Sequence, residues 1–297
     1  MRNTLGEIVE ATEGRFVSEG LSFGHGLPEA FDEAAYLALH ALGLPPDALD
    51  ANWARRLSPT EQAAIEQLVA RRIAERTPAA YLTREAWLGE HRFHVDERVI
   101  VPRSFIAELL HESLAPWVVD PGAVHSVLDL CTGSGCLAVL AALAFPASQV
   151  DAADLSPDAL DVARINVGRF ALDERIRLIQ SDLFEALGTR RYDLIVTNPP
   201  YVTARSMQDL PPEYRREPEM ALASGEDGLA HIRRILASAR SHLNPGGLLV
   251  VEAGFNREGV EAAFPDLPMT WLEVSAGDDI VFLLEEADLA RQPAANR

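Results

Sequence analysis

The chain has 297 residues, of which 48% are hydrophobic, so it can build a sizeable core and is long enough for two domains. It carries 26 basic and 45 acidic residues, for a formal net charge of −19. This balance argues against a protein that binds bare nucleic-acid phosphates through lysine and arginine, and among partners it favours a basic one. Taken alone, the acidity is explained more simply by solubility.

The composition also predicts the compartment. No stretch has the roughly 18 consecutive apolar residues that a membrane span needs, and the N-terminal "MRNTLGEIVEATEG" lacks the apolar core of a secretory signal. The cysteines, Cys131 and Cys136, have neither CxxC spacing nor histidine partners at metal-ligand spacing. We therefore expect a cytoplasmic protein with no membrane contact, no disulfide framework and no metal.

The N-terminal part, residues 1–80, is predicted to be a small helical domain. The segment "PEAFDEAAYLALHAL" places its apolar residues on one helical stripe. In "SPTEQAAIEQLVARRIAER", Ser58 is expected to cap a helix, Pro59 to take its first position, and Glu61 to close a capping box. No strand pattern interrupts this part of the chain.

The next segment, residues 81–103, changes character and is interpreted as a β-hairpin linker. Its stretch "AWLGEHRFHVD" carries aromatic and β-branched residues on both sides of Gly89, which is typical of two paired strands joined by a turn.

The remaining core, residues 104–286, alternates strands with helices. The apolar runs predicted as strands are "HSVLDL", "QVDAADL", "IRLIQSDL", "YDLIVTN", "LLVVEAG" and "DIVFLLEE". Helical patterns such as "SPDALDVARINVGRF" lie between them, so we expect an α/β domain with a parallel sheet and helices on both faces. Residues 287–297 are expected to be a flexible tail.

A glycine turn, "DLCTGSGC", follows the first of these strands and opens a helix. Gly133 and Gly135 allow a tight turn and a close approach to a ligand. Taken alone, the turn fits an ordinary strand-to-helix connection equally well. Ala138 is tolerated where a dinucleotide fingerprint has its third glycine, so the turn by itself also leaves NAD open, whereas the lack of a lysine excludes a P-loop.

Acidic residues end three successive strands of the predicted sheet: Asp129, Asp154 and Asp182. The carboxyl edge of such a sheet is where ligands bind, and an acid at the end of the second strand accepts hydrogen bonds from ribose hydroxyls. An acidic edge suits a cofactor that has no phosphates and carries a positive sulfonium. S-adenosylmethionine meets that description.

The fourth strand runs directly into Asn198, Pro199, Pro200 and Tyr201. The prolines stop the hydrogen-bonded ladder and rigidify the loop as it leaves the sheet. The Asn198 side-chain carbonyl and a proline carbonyl are then free to accept both hydrogens of a planar –NH₂ group, over which Tyr201 can stack. This grip would aim a weakly nucleophilic amide nitrogen at a methyl group.

These residues resemble a known family. The combination of "DLCTGSG" with "NPPY" is similar to class I S-adenosylmethionine-dependent methyltransferases that act on planar amino groups. The helical N-terminus, "PAAYLTREAWLGEHRFHVDERVIVPRS" and "EPEMALASGEDGL" resemble the protein-glutamine branch over nearly the whole chain. Residues 101–104, "VPRS", resemble the enzymes that act on ribosomal protein L-three, although Phe105 stands where that branch has proline.

The resemblance implies a Rossmann-like fold, S-adenosylmethionine as cofactor, and a basic ribosomal protein as partner, selected by the helical domain and the hairpin. It also implies roles for individual residues. Asn198, Pro199, Pro200 and Tyr201 would hold the glutamine amide as the catalytic group. The cofactor would contact Asp129, Cys131, Thr132, Gly133, Ser134, Gly135, Asp154, Asp182, Leu183 and Asn198.

Three alternatives stay open at the level of sequence. The first is the same chemistry on a release factor, and the second is an adenine methyltransferase, for which no Lys/Arg-rich stretch supplies a basic groove. The third is a regulatory module that binds the cofactor without activity. We further expect Glu217, Glu219 and Asp227 to be exposed loop charges.

Overall fold

The computed structural model describes residues 3–291. Its helices are α1 (Leu5–Ser18), α2 (Ala30–Ala41), α3 (Leu49–Asn52), α4 (Pro59–Glu75), α5 (Ala79–Thr83), α6 (Ile106–His111), α7 (Cys136–Ala144), α8 (Pro157–Arg169), α9 (Ala204–Asp209), α10 (Ala230–Ala239) and α11 (Arg257–Ala263). Its strands are β1 (Glu85–Leu88), β2 (His91–His94), β3 (Ser126–Leu130), β4 (Gln149–Asp154), β5 (Ile176–Gln180), β6 (Tyr192–Thr197), β7 (Leu243–Glu252), β8 (Thr270–Val274) and β9 (Gly277–Glu285).

The large sheet has the strand order β5-β4-β3-β6-β7-β9-β8, and its first five strands are parallel. The expectation of a parallel sheet is wrong for the last two strands, because β9 pairs antiparallel with both β7 and β8. Only two residues separate β8 from β9. So short a connection can only form a hairpin, whereas a parallel pair needs a crossover of a dozen residues or more.

Helices cover both faces of this sheet, as predicted. Side chains alternate along each strand, so Val127 packs in one hydrophobic core and Leu128 in the other. Helix α7 contributes Val139 to the first core, and α10 contributes Ile235 to the second. The strands are therefore buried on both sides, which explains their nearly continuous apolar sequences.

The N-terminal helices pack around a separate core. The capping box is confirmed, since Ser58 Oγ accepts from the Glu61 amide at 3.3 Å and Glu61 Oε2 accepts from the Ser58 amide at 2.8 Å. The hairpin is also confirmed: β1 and β2 pair antiparallel, and Gly89 turns between them at φ +59°. The limits assigned to the domains stay a prediction.

The hairpin packs firmly on the sheet domain. The ring of Phe93 is fully buried and lies 5.3 Å from the ring of Phe170, which follows α8. The amide of His94 donates to Asn166 Oδ1 at 2.7 Å. The linker is therefore held against α8 by both apolar and polar contacts.

At the C-terminus, residues 288–291 form a 3-10 turn in which Leu289 is buried against the second core. Residues 292–297, the rest of the predicted flexible tail, lie outside the described residues. Within residues 3–291, none of the helices has the length and apolar character needed to cross a membrane.

A buried arginine joins the helical domain to the rest of the chain. Arg72 is fully buried on α4, and its Nε lies 2.5 Å from Glu33 Oε1. Its Nη1 donates to Glu213 Oε1 at 3.3 Å and its Nη2 to the Ser22 carbonyl at 2.9 Å. One guanidinium thus satisfies groups from three separate parts of the chain.

Replacing this arginine tests how much the junction contributes to stability. Arg72→Ala would leave the carboxylate of Glu33 buried without its cation and would remove one of the two arginines that pair with Glu213, so we expect the free energy of unfolding to fall by about 3–5 kcal/mol. The neighbouring Arg71 makes an exposed pair with Glu75 at 3.2 Å, and Arg71→Ala should cost less than about 1 kcal/mol. Urea unfolding followed by circular dichroism measures both, and equal losses would contradict the assignment.

Candidate active site

A cleft of about 750 Å³ opens at the carboxyl ends of the parallel strands. Strands β3, β4, β5 and β6 all point towards this edge, so the loops that follow them meet there. Of the predicted site residues, those that line the cleft are Cys131, Gly133, Asp154, Asp182, Leu183, Asn198, Pro199, Pro200 and Tyr201. Because four parallel strands end at this edge, residues that are far apart in sequence line one cavity.

The glycine turn forms the near wall of the cleft. Cys131, Gly133 and Gly135 have φ values of +63°, +55° and +79°. A Cβ on Gly135 would lie 3.2 Å from the Ala163 Cα, so this position needs glycine both for its backbone conformation and for close packing on α8. The Gly133 amide donates to Asp154 Oδ2 at 2.8 Å, which ties the turn to the end of β4.

Four of the predicted cofactor residues lie behind this wall instead of lining it. Asp129 is fully buried, and its Oδ2 accepts from Thr132 Oγ1 at 2.5 Å. Ser134 is also buried, and its carbonyl accepts from Asn166 Nδ2 at 2.8 Å. With Gly135, these residues hold the turn in shape from behind.

The acids at the strand ends differ in environment. Asp154 is held by the amides of Gly133 and Ser156 at 2.8 and 2.9 Å, yet burial dominates and raises its pKa. Each of its oxygens retains a lone pair for a further donor. Asp182 is more exposed, and its Oδ1 lies 2.9 Å from Arg234 Nη1 on α10.

The strand that delivers Asn198 is locked to its neighbour. Thr197, the last residue of β6, donates from its Oγ1 to the Leu130 carbonyl at 2.7 Å. Beyond the two prolines the chain pairs again, because the Val202 amide donates to the Leu222 carbonyl at 2.8 Å. The four residues from Asn198 to Tyr201 are therefore fixed at both ends.

Tyr201 is positioned by β7 and the residues after it. Its ring packs on Gly254, where a Cβ would lie 2.7 Å from Cδ2 of the ring. Its hydroxyl lies 3.5 Å from Glu252 Oε1, and Glu252 Oε2 accepts from Ser104 Oγ at 2.6 Å. Burial raises the pKa of Tyr201, so its hydroxyl stays protonated at neutral pH.

The charge of the cleft fits a cationic cofactor. Its acidic groups are Asp154, Asp182 and Glu252. Its two arginines are each paired: Arg98 with Asp96 at 2.6 Å and Arg103 with Glu217 at 2.6 Å. The sulfonium and the ribose diol of S-adenosylmethionine therefore match the charge and the hydrogen-bonding groups of the cleft. The volume of the cleft also lies within the range of ordinary cofactor sites.

Glu217 corrects one expectation. The sequence predicts an exposed loop charge, which is wrong: Glu217 is buried, and its two carboxylate oxygens accept from Arg103 Nη1 and Nη2 at 2.6 and 2.7 Å. Glu219 is exposed, and Asp227 makes an exposed pair with Arg233. No local pattern marks the pair of Glu217 with Arg103, because the two residues lie 114 positions apart.

Neither cysteine has the features of a nucleophile. Burial raises the pKa of both thiols, that of Cys136 to about 12, so both are protonated at neutral pH. Among residues 3–291 there is no group of three or more His, Cys, Asp or Glu side chains that could hold a metal ion.

Comparisons with known proteins agree with this geometry. A family model described as the PrmC N-terminal domain matches residues 24–83, and one described as the Methyltransferase small domain matches residues 107–211. A ribosomal protein uL3 glutamine methyltransferase from Burkholderia pseudomallei is 56% identical over 96% of this chain and 95% of that protein. The chain belongs to the ribosomal protein uL3 glutamine methyltransferase family.

Other relatives in this methyltransferase family are nearly as similar. The protein of the same description from Neisseria meningitidis serogroup B is 55% identical, covering 96% of this chain and 94% of the relative. That from Bradyrhizobium diazoefficiens is 48% identical, covering 96% and 92%. The family assignment confirms that the protein is an enzyme and that S-adenosylmethionine is its methyl donor.

A solved structure shares the fold. The hMettl16 catalytic domain in complex with MAT2A 3'UTR hairpin 6 matches with a TM-score of 0.50 and 14% sequence identity, covering 76% of this chain and 80% of that one. At this level of identity the match concerns the fold alone. It confirms the Rossmann-like class I methyltransferase architecture.

A pair of glycines tests the role of Tyr201. Gly228 and Gly246 both have φ +77°, but a Cβ on Gly228 would overlap the Tyr201 carbonyl oxygen, whereas a Cβ on Gly246 would meet nothing within 4 Å. Alanine at either position carries the same backbone strain, about 1 kcal/mol. We expect Gly228→Ala to lower methyl transfer by about tenfold or more beyond Gly246→Ala, because it displaces the tyrosine. Initial rates for the two variants measure this, and equal rates would contradict it.

The raised pKa of Asp129 leads us to expect that the stability of the protein depends on pH. Burial, with a smaller effect of nearby Asp154, raises its pKa to about 7. The folded state then binds a proton that the unfolded state releases near pH 4, so this group's stabilising contribution is lost as the pH rises from about 4 to 7. Each pKa unit corresponds to about 1.4 kcal/mol.

Asp129→Asn should therefore reduce the loss of unfolding free energy between pH 5 and pH 7.5. Urea titrations at the two pH values measure it. The exposed Asp173 supplies the control, and Asp173→Asn should leave the wild-type difference unchanged. The same loss in Asp129→Asn as in the wild type would show that Asp129 does not titrate in this range.

Proposed function

We propose that this enzyme transfers a methyl group from S-adenosylmethionine to the side-chain amide nitrogen of a glutamine in ribosomal protein uL3. The names of relatives at 48–56% identity over nearly the whole chain support the substrate. The net charge of −19 supports a basic partner, as a ribosomal protein would be. We place the reaction in the cytoplasm and expect neither nucleic acid nor membrane as a partner.

One observation carries the proposal. Asn198 to Tyr201 line the same cleft as Asp154 and Asp182. A group that can hold a planar amide thus lies in one cavity with groups that can hold the ribose and the adenine of the methyl donor.

Each part of the cofactor is assigned to different residues of the cleft. Asp154 binds the ribose hydroxyls, Asp182 and Leu183 flank the adenine, and the turn from Cys131 to Gly135 lies along the methionine part. When bound, S-adenosylmethionine supplies an electrophilic methyl group on a positive sulfur. Asp129, Thr132, Ser134 and Gly135 act on the cofactor through the shape of that turn, since they lie behind it.

Asn198 and the neighbouring proline carbonyl orient the nucleophile. An amide nitrogen is weakly nucleophilic because its lone pair is delocalised into the carbonyl. Two acceptors on its hydrogens fix its direction and return electron density to nitrogen. Positioning of this kind contributes up to about 7–11 kcal/mol to lowering a barrier. Tyr201 stacks on the flat amide, and its own position is set by Gly254 and Glu252.

The proton needs no strong base. Once nitrogen carries the methyl group, its hydrogen is strongly acidic and passes to water. Burial raises the pKa of Tyr201, so this side chain stays a neutral phenol and does not take the proton.

Asn198→Ala tests the assignment. It removes one of the two acceptors, so we expect methyl transfer to fall on the order of 10²-fold or more while the Kd for S-adenosylmethionine changes little. Transfer of labelled methyl to purified uL3 and calorimetric binding of the cofactor measure the two effects. Asn52→Ala, in the helical domain, is the control and should keep full activity.

The same assay separates the rival substrates. Wild-type enzyme receives labelled S-adenosylmethionine together with uL3, a release factor or DNA. Label on uL3 supports the proposal. Label only on the release factor or only on DNA would overturn the substrate while leaving the methyltransferase family intact.

A further inference from the structure

One loop connects the amide-binding residues to the helical domain. We call residues 202–225 the strap. Its base is closed by backbone hydrogen bonds from Val202 to the Leu222 carbonyl at 2.8 Å, from Ser224 to the Val202 carbonyl at 2.9 Å, and from Ala204 to the Gly225 carbonyl at 2.8 Å. The strap therefore leaves the sheet directly after Tyr201 and returns to the same place.

Two buried glutamates fasten the body of the strap at different points. Glu213 is fully buried, and its Oε1 accepts from Arg72 at 3.3 Å, from Arg76 at 3.2 Å and from the Ser22 amide at 3.2 Å. These three donors belong to the helical domain. The tip of the strap is thus anchored outside the sheet domain.

Glu217 fastens the strap to the segment that follows the hairpin. Its Oε1 accepts from the Val101 amide at 2.9 Å and from Arg103 Nη1 at 2.6 Å, and its Oε2 accepts from Arg103 Nη2 at 2.7 Å. The parallel pair of bonds to a planar guanidinium fixes both position and orientation, which a single contact would not do.

Tyr214 lies between the two anchors and lines the cleft. Its ring centroid is 4.3 Å from that of the buried His25, and the Arg103 guanidinium carbon is 5.5 Å from the ring centroid. A Cβ on Gly24 would overlap the Tyr214 hydroxyl. Arg103, Tyr214 and Gly24 therefore form one close-packed wall of the cleft, built from three parts of the chain.

The residues assigned to the cofactor, Asp154 and Asp182, are held in place by contacts other than those of the strap. Asp154 is held by the glycine turn, and Asp182 is paired with Arg234 on α10. The wall that contains Tyr214 is held through Glu217. The two sets of contacts share no residue, so each half of the cleft has its own means of support.

We propose that Glu217 is a positioning residue for the protein substrate: through Arg103 and Val101 it holds the strap and Tyr214 as a preformed wall against which the glutamine-bearing segment docks. This inference rests on the function proposed above and names the part of the cleft that receives the protein. The wall is built before the substrate arrives, so binding does not have to order the strap.

The test compares two glutamates of the strap that lie two positions apart. Glu217→Gln keeps the shape but replaces the two-oxygen acceptor of Arg103 by one oxygen and an –NH₂ group. Glu219→Gln makes the same change in charge at an exposed position. Steady-state kinetics give KM for uL3 and kcat, calorimetry gives Kd for S-adenosylmethionine, and circular dichroism reports folding.

We expect Glu217→Gln to raise KM for uL3 on the order of tenfold or more, with Kd for the cofactor within about twofold of wild type, because only the substrate wall is displaced. Glu219→Gln should match the wild type. A double-mutant cycle with Arg103→Ala should show strong coupling, so that the double variant is no worse than Arg103→Ala alone. Arg103→Lys keeps the positive charge but loses the two parallel hydrogen bonds to Glu217. Its KM for uL3 should therefore lie between those of the wild type and Arg103→Ala.

Three results would overturn the inference: an unchanged KM in Glu217→Gln, an equal rise in Glu219→Gln, or a parallel rise in the Kd for the cofactor, which would mark a general structural role. Failure of the proposed substrate is recognised separately, from the wild-type enzyme. If wild type modifies the release factor and not uL3, the KM comparison is made on the release factor. If it modifies neither protein, both proposals fall.

Discussion

The parallel register of four strands is the constraint on which the site depends. Leu130 at the end of β3 pairs with Ala153 of β4 and with Thr197 of β6. The residues that follow these strands therefore leave the sheet side by side. Because all point the same way, a glycine turn, two carboxylates and a rigid Asn-Pro-Pro-Tyr loop lie around a single cavity. An antiparallel arrangement would send half of these loops to the opposite edge.

The polar groups that line this cavity serve as hydrogen-bond acceptors and not as strong acids or bases. Burial keeps the hydroxyl of Tyr201 and the thiol of Cys131 protonated. Such an environment suits a reaction whose nucleophile is neutral and whose electrophile brings its own positive charge. The protein contributes direction and desolvation, and the reactive centre is supplied by the methyl donor.

The sequence predicts this site where the signals are local, and misses it where they are not. The capping box at Ser58, the turn at Gly89 and the strand ends at Asp154 and Asn198 follow from residues only a few positions apart. Strand β8 lies at the edge of the sheet and lacks the continuous apolar run that marks the central strands. The pairs of Arg72 with Glu213 and of Arg103 with Glu217 span 141 and 114 positions, so no window of sequence contains both partners.

The contact of Glu213 with the helical domain has a consequence for the architecture of this chain. A boundary near residue 80 separates the N-terminal helices, which have their own hydrophobic core, from the rest of the chain. Glu213, which accepts from Arg72 and Arg76, nevertheless belongs to a loop of the catalytic domain. The two units are thus not interchangeable parts. A chimera that exchanged the helical domain between relatives would have to carry matching residues at both ends of this contact. Truncation to the catalytic domain alone would strip three donors from a buried carboxylate and leave one side of the active site unfinished.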